Sequence, residues 1–192
     1  MSSRVRGRLV GALVLLAFVL YGGGSALVAS GGSLSWWGAA LVLLNSAGVL
    51  AIGLVARPVL AGTHPRTSVA YLATRVVEGV LLAAGLALVL GDEPAAADGA
   101  YWVAMTVLGL GSVLFCRALL QAGLVPRPLA AWGVAGYAFL AAGGLLELTG
   151  RDVGLLLSAP GGLFEVALGV QLVARGFRTP APRPTGRVTV PA

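Results

Sequence analysis

Six apolar segments, each long enough to cross a lipid bilayer, follow one another along the chain and are separated by short polar turns. A hydrocarbon core of roughly 30 Å takes about 20 helical residues to cross. Helices suit such segments because they satisfy their own backbone polar groups in lipid. We place the spans at Leu9–Ala29, Trp36–Ala56, Ser68–Gly91, Ala100–Leu124, Leu129–Leu148 and Val153–Ala174. The sequence therefore predicts an all-α fold, a polytopic transmembrane bundle of six helices.

The composition agrees with a membrane protein. Of the 192 residues, 58% are hydrophobic and 10% are charged, and the mean hydropathy is +0.93. Soluble domains average about 25% charged residues, so a water-soluble single domain is excluded. The 13 basic residues are all arginine, which is typical of a bacterial chain with GC-rich codons. They stand near the ends of spans instead of forming one patch, so nucleic acid is not an expected partner.

The arginines also predict the topology. Arginine occurs in the N-terminal segment, in alternate loops and in the C-terminal tail, whereas the other loops carry no net positive charge. By the positive-inside rule both termini are cytoplasmic. We expect a basic cytoplasmic N-terminus (1–8), a six-helix transmembrane domain (9–177) and a disordered, Arg/Pro-rich cytoplasmic tail (178–192). The expected location is the inner (plasma) membrane of a bacterium, with the bilayer as partner.

Prolines and glycines predict local features of the spans. Arg57-Pro58 is expected to end the second span, and Pro94 is expected to break an acidic loop. Pro160-Gly161-Gly162 should kink the sixth span. The glycines of spans one and five suit close helix contact, either inside the bundle or in a homo-oligomer.

Ionisable residues inside the spans are the candidate site. At 1.5 Å per residue, Arg75 and Arg117 lie about 10 Å from the cytoplasmic ends, and Asn45, Glu78 and Glu165 about 13–16 Å. These five residues come from four different spans and share a depth. Charges at such depth usually face protein or a water-filled cavity. The sequence therefore predicts a buried Arg/Glu cluster in the cytoplasmic half of the bundle.

This cluster has several interpretations. It can be a static lattice of ion pairs that fixes the register of the helices. It can also be a site for a small polar ligand, a proton or a lipid head group, beside a broken sixth helix. A third interpretation is that helix rotation separates the residues, with Arg117 extending to the cytoplasmic head groups.

Few residues suggest chemistry. The single cysteine, Cys116, and the single histidine, His64, do not form a metal-binding pattern, so neither a metal nor another cofactor is expected. Ser158 is close to Glu165 in sequence, but no histidine lies in a span to act as a base. No catalytic residue is predicted, and an enzyme is disfavoured.

Several short motifs resemble those of one family of bacterial membrane proteins. They are found at Arg75–Glu78, Gly123–Arg127, Leu129–Gly133, Leu163–Glu165 and Val173–Phe177. Their order and spacing resemble the domain of unknown function 4386 family, over about Leu9 to Phe177. The resemblance implies a polytopic membrane fold and draws attention to Arg75, Glu78, Pro126, Arg127 and Glu165. It implies no established activity.

The sequence thus favours an integral membrane protein that binds a ligand or serves as an accessory to a partner. The alternative is a small secondary transporter or proton-coupled carrier that uses Glu78 and Glu165. A membrane enzyme acting on lipid is the third interpretation.

Overall fold

Six long helices make up the fold in a computed structural model that describes residues 1–178. They are α1 (Ser3–Ser30), α2 (Ser35–Leu60), α3 (Pro65–Leu90), α4 (Pro94–Ala122), α5 (Arg127–Leu148) and α6 (Gly154–Arg175). All six are long and apolar enough to cross a membrane. The predicted all-α bundle of six spans is confirmed for the described part of the chain. The predicted tail lies outside the described residues beyond Arg178.

The helices form a closed ring. Each one packs mainly against the next in sequence, and α6 returns to pack against α1. Short turns connect the helices, so neighbours run antiparallel. The ring encloses an interior into which side chains from all six helices can point.

The two ends of the ring carry different elements. At the end that holds both the start of α1 and the end of α6, Gly7 lies against the backbone of Phe177. His64 after α2 and Gln121 in α4 meet there, with 2.9 Å between Nε2 and Oε1. We call this the terminal end. At the opposite end, Glu147 Oε2 accepts hydrogen bonds from two backbone N–H groups at the start of α6, at 3.1 and 2.6 Å.

Small residues let neighbouring helices approach closely. A Cβ on Gly38 of α2 would lie 2.6 Å from the carbonyl oxygen of Gly24 in α1. On α5, a Cβ at Gly136 would lie 3.0 Å from Cα of Gly161. These glycines therefore serve packing within the bundle. Gly22 has open space where a side chain would be, and the homo-oligomer stays a prediction.

The prolines behave differently from the expectation in two places. Helix α2 continues past Pro58 to Leu60 instead of ending at Ala56. Only the bond to the Leu54 carbonyl is lost, because a proline lacks one N–H, and this loss falls in the last turns of the helix. The prediction of a stop at Arg57-Pro58 is therefore wrong.

Pro94 begins α4 instead of breaking a loop. The first residues of a helix have no partner for their N–H groups, so a proline costs little there. Asp98 accordingly lies inside α4, and the acidic loop is shorter than predicted. The first span is longer than predicted, since α1 starts at Ser3 with Ser2 Oγ accepting from Val5 N. Helix α6 runs as one element through Pro160, and its kink stays a prediction.

Candidate functional site

Arg75 lies at the centre of a polar cluster inside the ring. Its side chain on α3 is 4% exposed. Its Nη1 donates to Glu78 Oε2 at 2.9 Å, one helical turn along the same helix. Its Nη2 lies 3.9 Å from Glu165 Oε1 on α6. One arginine thus faces two carboxylates from opposite parts of the ring.

Tyrosines hold this cluster in place. Arg75 Nε donates to the Tyr71 hydroxyl at 2.9 Å, and the guanidinium carbon lies 5.1 Å from the centroid of the Tyr71 ring. The Tyr71 ring stacks on Phe115 of α4, with 3.9 Å between centroids. The Tyr137 hydroxyl of α5 donates to Glu165 Oε1 at 2.6 Å. The cluster therefore draws on α3, α5 and α6 and is braced by α4.

Sequence reasoning did not name either tyrosine. Tyr71 precedes Arg75 by four residues, which places it on the same face of α3. That spacing was a usable signal. Tyr137 stands in a glycine-rich span with no charged neighbour, and nothing in its spacing links it to Glu165, which is 28 residues away.

A cavity of about 230 Å³ lies beside the cluster. We call it the central cavity. Its polar lining comes from the side chains of Asn45, Arg75, Glu78 and Glu165, and its other walls are mainly apolar and aromatic. Four of the five predicted site residues therefore border one space.

Asn45 is the unsatisfied member of this set. The residue is 2% exposed, and its Oδ1 has no hydrogen-bond partner among the described residues. An unpaired buried polar group costs about 1–3 kcal/mol. Such a group beside an internal space is suited to a partner that comes from outside the chain.

Arg117 does not join the cluster, which corrects the prediction. Its side chain is exposed on the outside of the ring, whereas its neighbours Cys116 and Ala118 are buried. Successive helical residues are turned by about 100°, so a residue at the correct depth can still face away. Its outward direction agrees with the third interpretation, and its contact with the cytoplasmic head groups stays a prediction.

A second, larger cavity of about 400 Å³ lies nearer the opposite end of the ring. Tyr21 and Tyr101 line both cavities. Their rings are nearly parallel, with 5.8 Å between centroids. Asp98 is the one charged residue in the lining of the second cavity. The two cavities therefore adjoin at this tyrosine pair and at Leu82.

Two residues outside the cluster carry groups that can act as nucleophiles, Cys116 and Ser158. Cys116 is fully buried. Ser158 Oγ donates to the Gly154 carbonyl oxygen at 2.7 Å. Within residues 1–178, no group of three metal-ligating side chains comes together.

The comparison with protein families agrees with the sequence motifs. The model of a family described as a domain of unknown function (DUF4386) matches residues 94–176. The resemblance to DUF4386 is confirmed. The matched segment comprises α4 to α6 and includes Tyr137 and Glu165, whereas Asn45, Arg75 and Glu78 precede it, and the resemblance before residue 94 stays a prediction. No curated protein and no solved structure matches the chain.

Proposed function

We propose that this multi-pass membrane protein binds a small polar ligand in the central cavity. The observation that carries the proposal is an open cavity bordered by Asn45, Arg75, Glu78 and Glu165. One of these residues, Asn45, has a buried Oδ1 without a hydrogen-bond partner among the described residues. Proteins rarely keep a buried polar atom unpaired unless something else satisfies it.

The alternative of a purely static ion-pair lattice has less support. A lattice that only fixes helix register gains from full packing and from matched charge, because buried charges must be compensated. Here one arginine stands between two glutamates, and about 230 Å³ beside them is open. Both features suit a site that a ligand completes.

The size of the cavity favours a small ligand. Pockets for drug-sized molecules measure roughly 300–1,000 Å³, and the central cavity is smaller. We therefore place a water-soluble small molecule in the site, in a protein of the bacterial inner membrane with its terminal end in the cytoplasm.

A carrier is the second candidate. The meeting of the two cavities at Tyr21 and Tyr101 supports a path that leads from one end of the ring to Glu78 and Glu165. Transport requires a second opening toward the terminal end. Proteoliposomes distinguish the two roles, since only a carrier accumulates a radiolabelled ligand inside them.

Thermal unfolding of the protein in lipid nanodiscs tests the binding proposal. The probes are 2-phenylethylamine, 2-phenylethanol and phenylacetate, which share a carbon skeleton and differ in charge. At 100 times its dissociation constant, a ligand stabilises the folded state by about 2.7 kcal/mol. We expect at least one probe to raise the unfolding temperature of the wild type but not of Asn45→Leu. Equal shifts in both proteins, or no shift with any probe, would overturn the proposal.

A further inference from the structure

The charges around the central cavity do not balance. In their ordinary ionisation states, Arg75 contributes one positive charge, and Glu78 and Glu165 contribute two negative charges. Arg117, the other arginine expected at this depth, points out of the ring. The cavity wall therefore carries an excess of one negative charge in a region of low dielectric, where compensation matters most.

Two nitrogens of Arg75 and the Tyr137 hydroxyl donate hydrogen bonds within the cluster. Arg75 Nε donates to Tyr71, its Nη1 donates to Glu78, and its Nη2 faces Glu165. The Tyr137 hydroxyl donates to Glu165 as well. The guanidinium charge of Arg75 is therefore directed at its own tyrosine and glutamate neighbours.

Acceptors, by contrast, are available. Asn45 Oδ1 has no partner. Glu78 and Glu165 each use one carboxylate oxygen in the contacts of the described residues and have a second oxygen to offer. A carboxylate has about four lone-pair sites, so both side chains have spare capacity. The site therefore offers free carboxylate oxygens and an excess of one negative charge.

The second cavity, which adjoins the central cavity, also has a negative charge in its lining. Asp98 is the single charged side chain lining the second cavity, and it is exposed. Tyr21 and Tyr101 line both cavities, and the face of an aromatic ring attracts a cation within about 6 Å of its centroid. Up to the tyrosine pair, a cation on this approach meets one charged side chain, the carboxylate of Asp98.

We propose that the central cavity binds an organic cation with a primary ammonium group and a compact apolar body. This inference rests on the proposed function and names its ligand class. The three N–H donors of an ammonium group match three acceptors, on Asn45, Glu78 and Glu165. The apolar body packs against the remaining lining, which includes Phe18, Met105 and Leu108.

The first test compares the stabilisation by matched compounds. We expect 2-phenylethylamine to raise the unfolding temperature, and 2-phenylethanol and phenylacetate to leave it unchanged. Phenylethyltrimethylammonium keeps the charge but has no N–H donor, and we expect it to bind at least tenfold more weakly than the primary amine. Stabilisation by the alcohol or the acetate alone would overturn the ammonium inference while leaving ligand binding in the cavity intact.

The second test measures the charge preference of the cavity directly. Met105→Cys places a thiol in the lining, and the wild type with its fully buried Cys116 gives the background. The reagents are 2-aminoethyl and 2-sulfonatoethyl methanethiosulfonate, each normalised to its rate with a free thiol. We expect the ammonium reagent to react at least tenfold faster, and 2-phenylethylamine to slow that reaction.

Matched variants locate the charge that sets this preference. Glu165→Gln should lower the ratio of the two rates several-fold, whereas Glu93→Gln, in an exposed turn outside both cavities, should not change it. Equal rates for the two reagents, or a ratio unaffected by Glu165→Gln, would contradict the ammonium site. Failure of both reagents to react would contradict an accessible cavity and with it the proposed function.

Discussion

The charge of Arg75 is buried inside the bundle, so its neighbours must compensate it. Its guanidinium is almost completely buried and contacts Tyr71, Glu78 and Glu165. Removing one partner of a buried ion pair leaves the other charge uncompensated, which is costlier than losing the pair altogether. The variants that remove a carboxylate are therefore the most informative ones at this scale.

Glu78→Gln should lower the free energy of unfolding by less than the cost of about 3–5 kcal/mol of a fully unpaired buried charge, because Glu165 still faces Arg75. Denaturant unfolding in detergent measures this loss, with Glu93→Gln as the exposed control, expected to stay within about 0.5 kcal/mol of the wild type. Because Glu165 can move toward Arg75, the double variant Glu78→Gln/Glu165→Gln should lose more than the sum of the two single changes. An unchanged stability in Glu78→Gln would show that the pair is not buried as described.

Asn45→Leu should have the opposite effect on stability. The change removes an unpaired buried amide from α2, and a gain of about 1–3 kcal/mol is expected where such a group is replaced by an apolar one of similar size. The same unfolding experiment measures the gain. Higher stability together with loss of ligand stabilisation is the pattern of a site that is kept for binding. A strong loss of stability would mean that the amide has a structural partner.

The sequence could predict how far along its helix each site residue lies, but not toward which side of the helix its side chain points. Counting residues from the span ends correctly placed Arg75, Glu78 and Glu165 at one level, and all three border the central cavity. The same count also includes Arg117 in the cluster. The rise per residue gives the depth of a residue, whereas the face of the helix on which it lies depends on how the helix is rotated about its axis. The sequence could not predict the role of Tyr137, because its contact with Glu165 arises from the packing of α5 on α6.

Helix pairs rely on glycine where their backbones come close. The crossing of α1 and α2 brings Gly24 and Gly38 together, and a Cβ on either would lie less than 3.0 Å from the other's carbonyl oxygen. In lipid, such close approach is a main source of helix association, because the hydrophobic effect does not act between spans. The glycine content of this chain therefore has a direct structural use.

Gly38→Val should separate α1 from α2 and lower the unfolding temperature. Gly48→Val is the matched control on the same helix, since a Cβ there has nothing within 4 Å. Thermal unfolding of both variants in nanodiscs measures the difference. Overpacking typically costs about 1–3 kcal/mol, so Gly38→Val should be less stable by that amount and Gly48→Val close to the wild type. Equal stability of the two variants would argue against the close crossing.

The sequence predicts the six helices more accurately than it predicts the residues at which they begin and end. Apolar length alone identified all six helices. The predicted ends are wrong at two prolines. Pro58 lies in the last turns of α2, and Pro94 is the first residue of α4, so neither one interrupts a helix. Whether a proline ends a helix depends on which backbone bond it removes.

The two ends of the ring differ in net charge, since the one arginine at the opposite end within residues 1–178, Arg151, is next to Asp152. Arginines such as Arg8, Arg66 and Arg127 belong to the terminal end, and the acidic residues Asp92 and Glu93 belong to the opposite end. This distribution underlies the predicted cytoplasmic location of the terminal end.

Alkaline phosphatase fusions test that orientation. A fusion after Asp92, in the turn between α3 and α4, should be active outside the cytoplasm, and a fusion after Gly62, between α2 and α3, should be inactive. The turn at Asp92 is the appropriate place because the structure puts Asp98 inside α4. The reverse pattern of activity would mean that the orientation is inverted, and equal activity would contradict the six-span arrangement.

The central claim is that the polar cluster borders a cavity that a ligand fills, and a crystallographic difference map tests it most directly. Crystals of the wild-type protein grown with excess 2-phenylethylamine should show density in the central cavity, within hydrogen-bonding distance of Asn45 and Glu165, with Arg75 still bonded to Glu78. A map in which the Asn45 amide bonds to a neighbouring side chain, the cavity is closed and no ligand density is present would contradict the account.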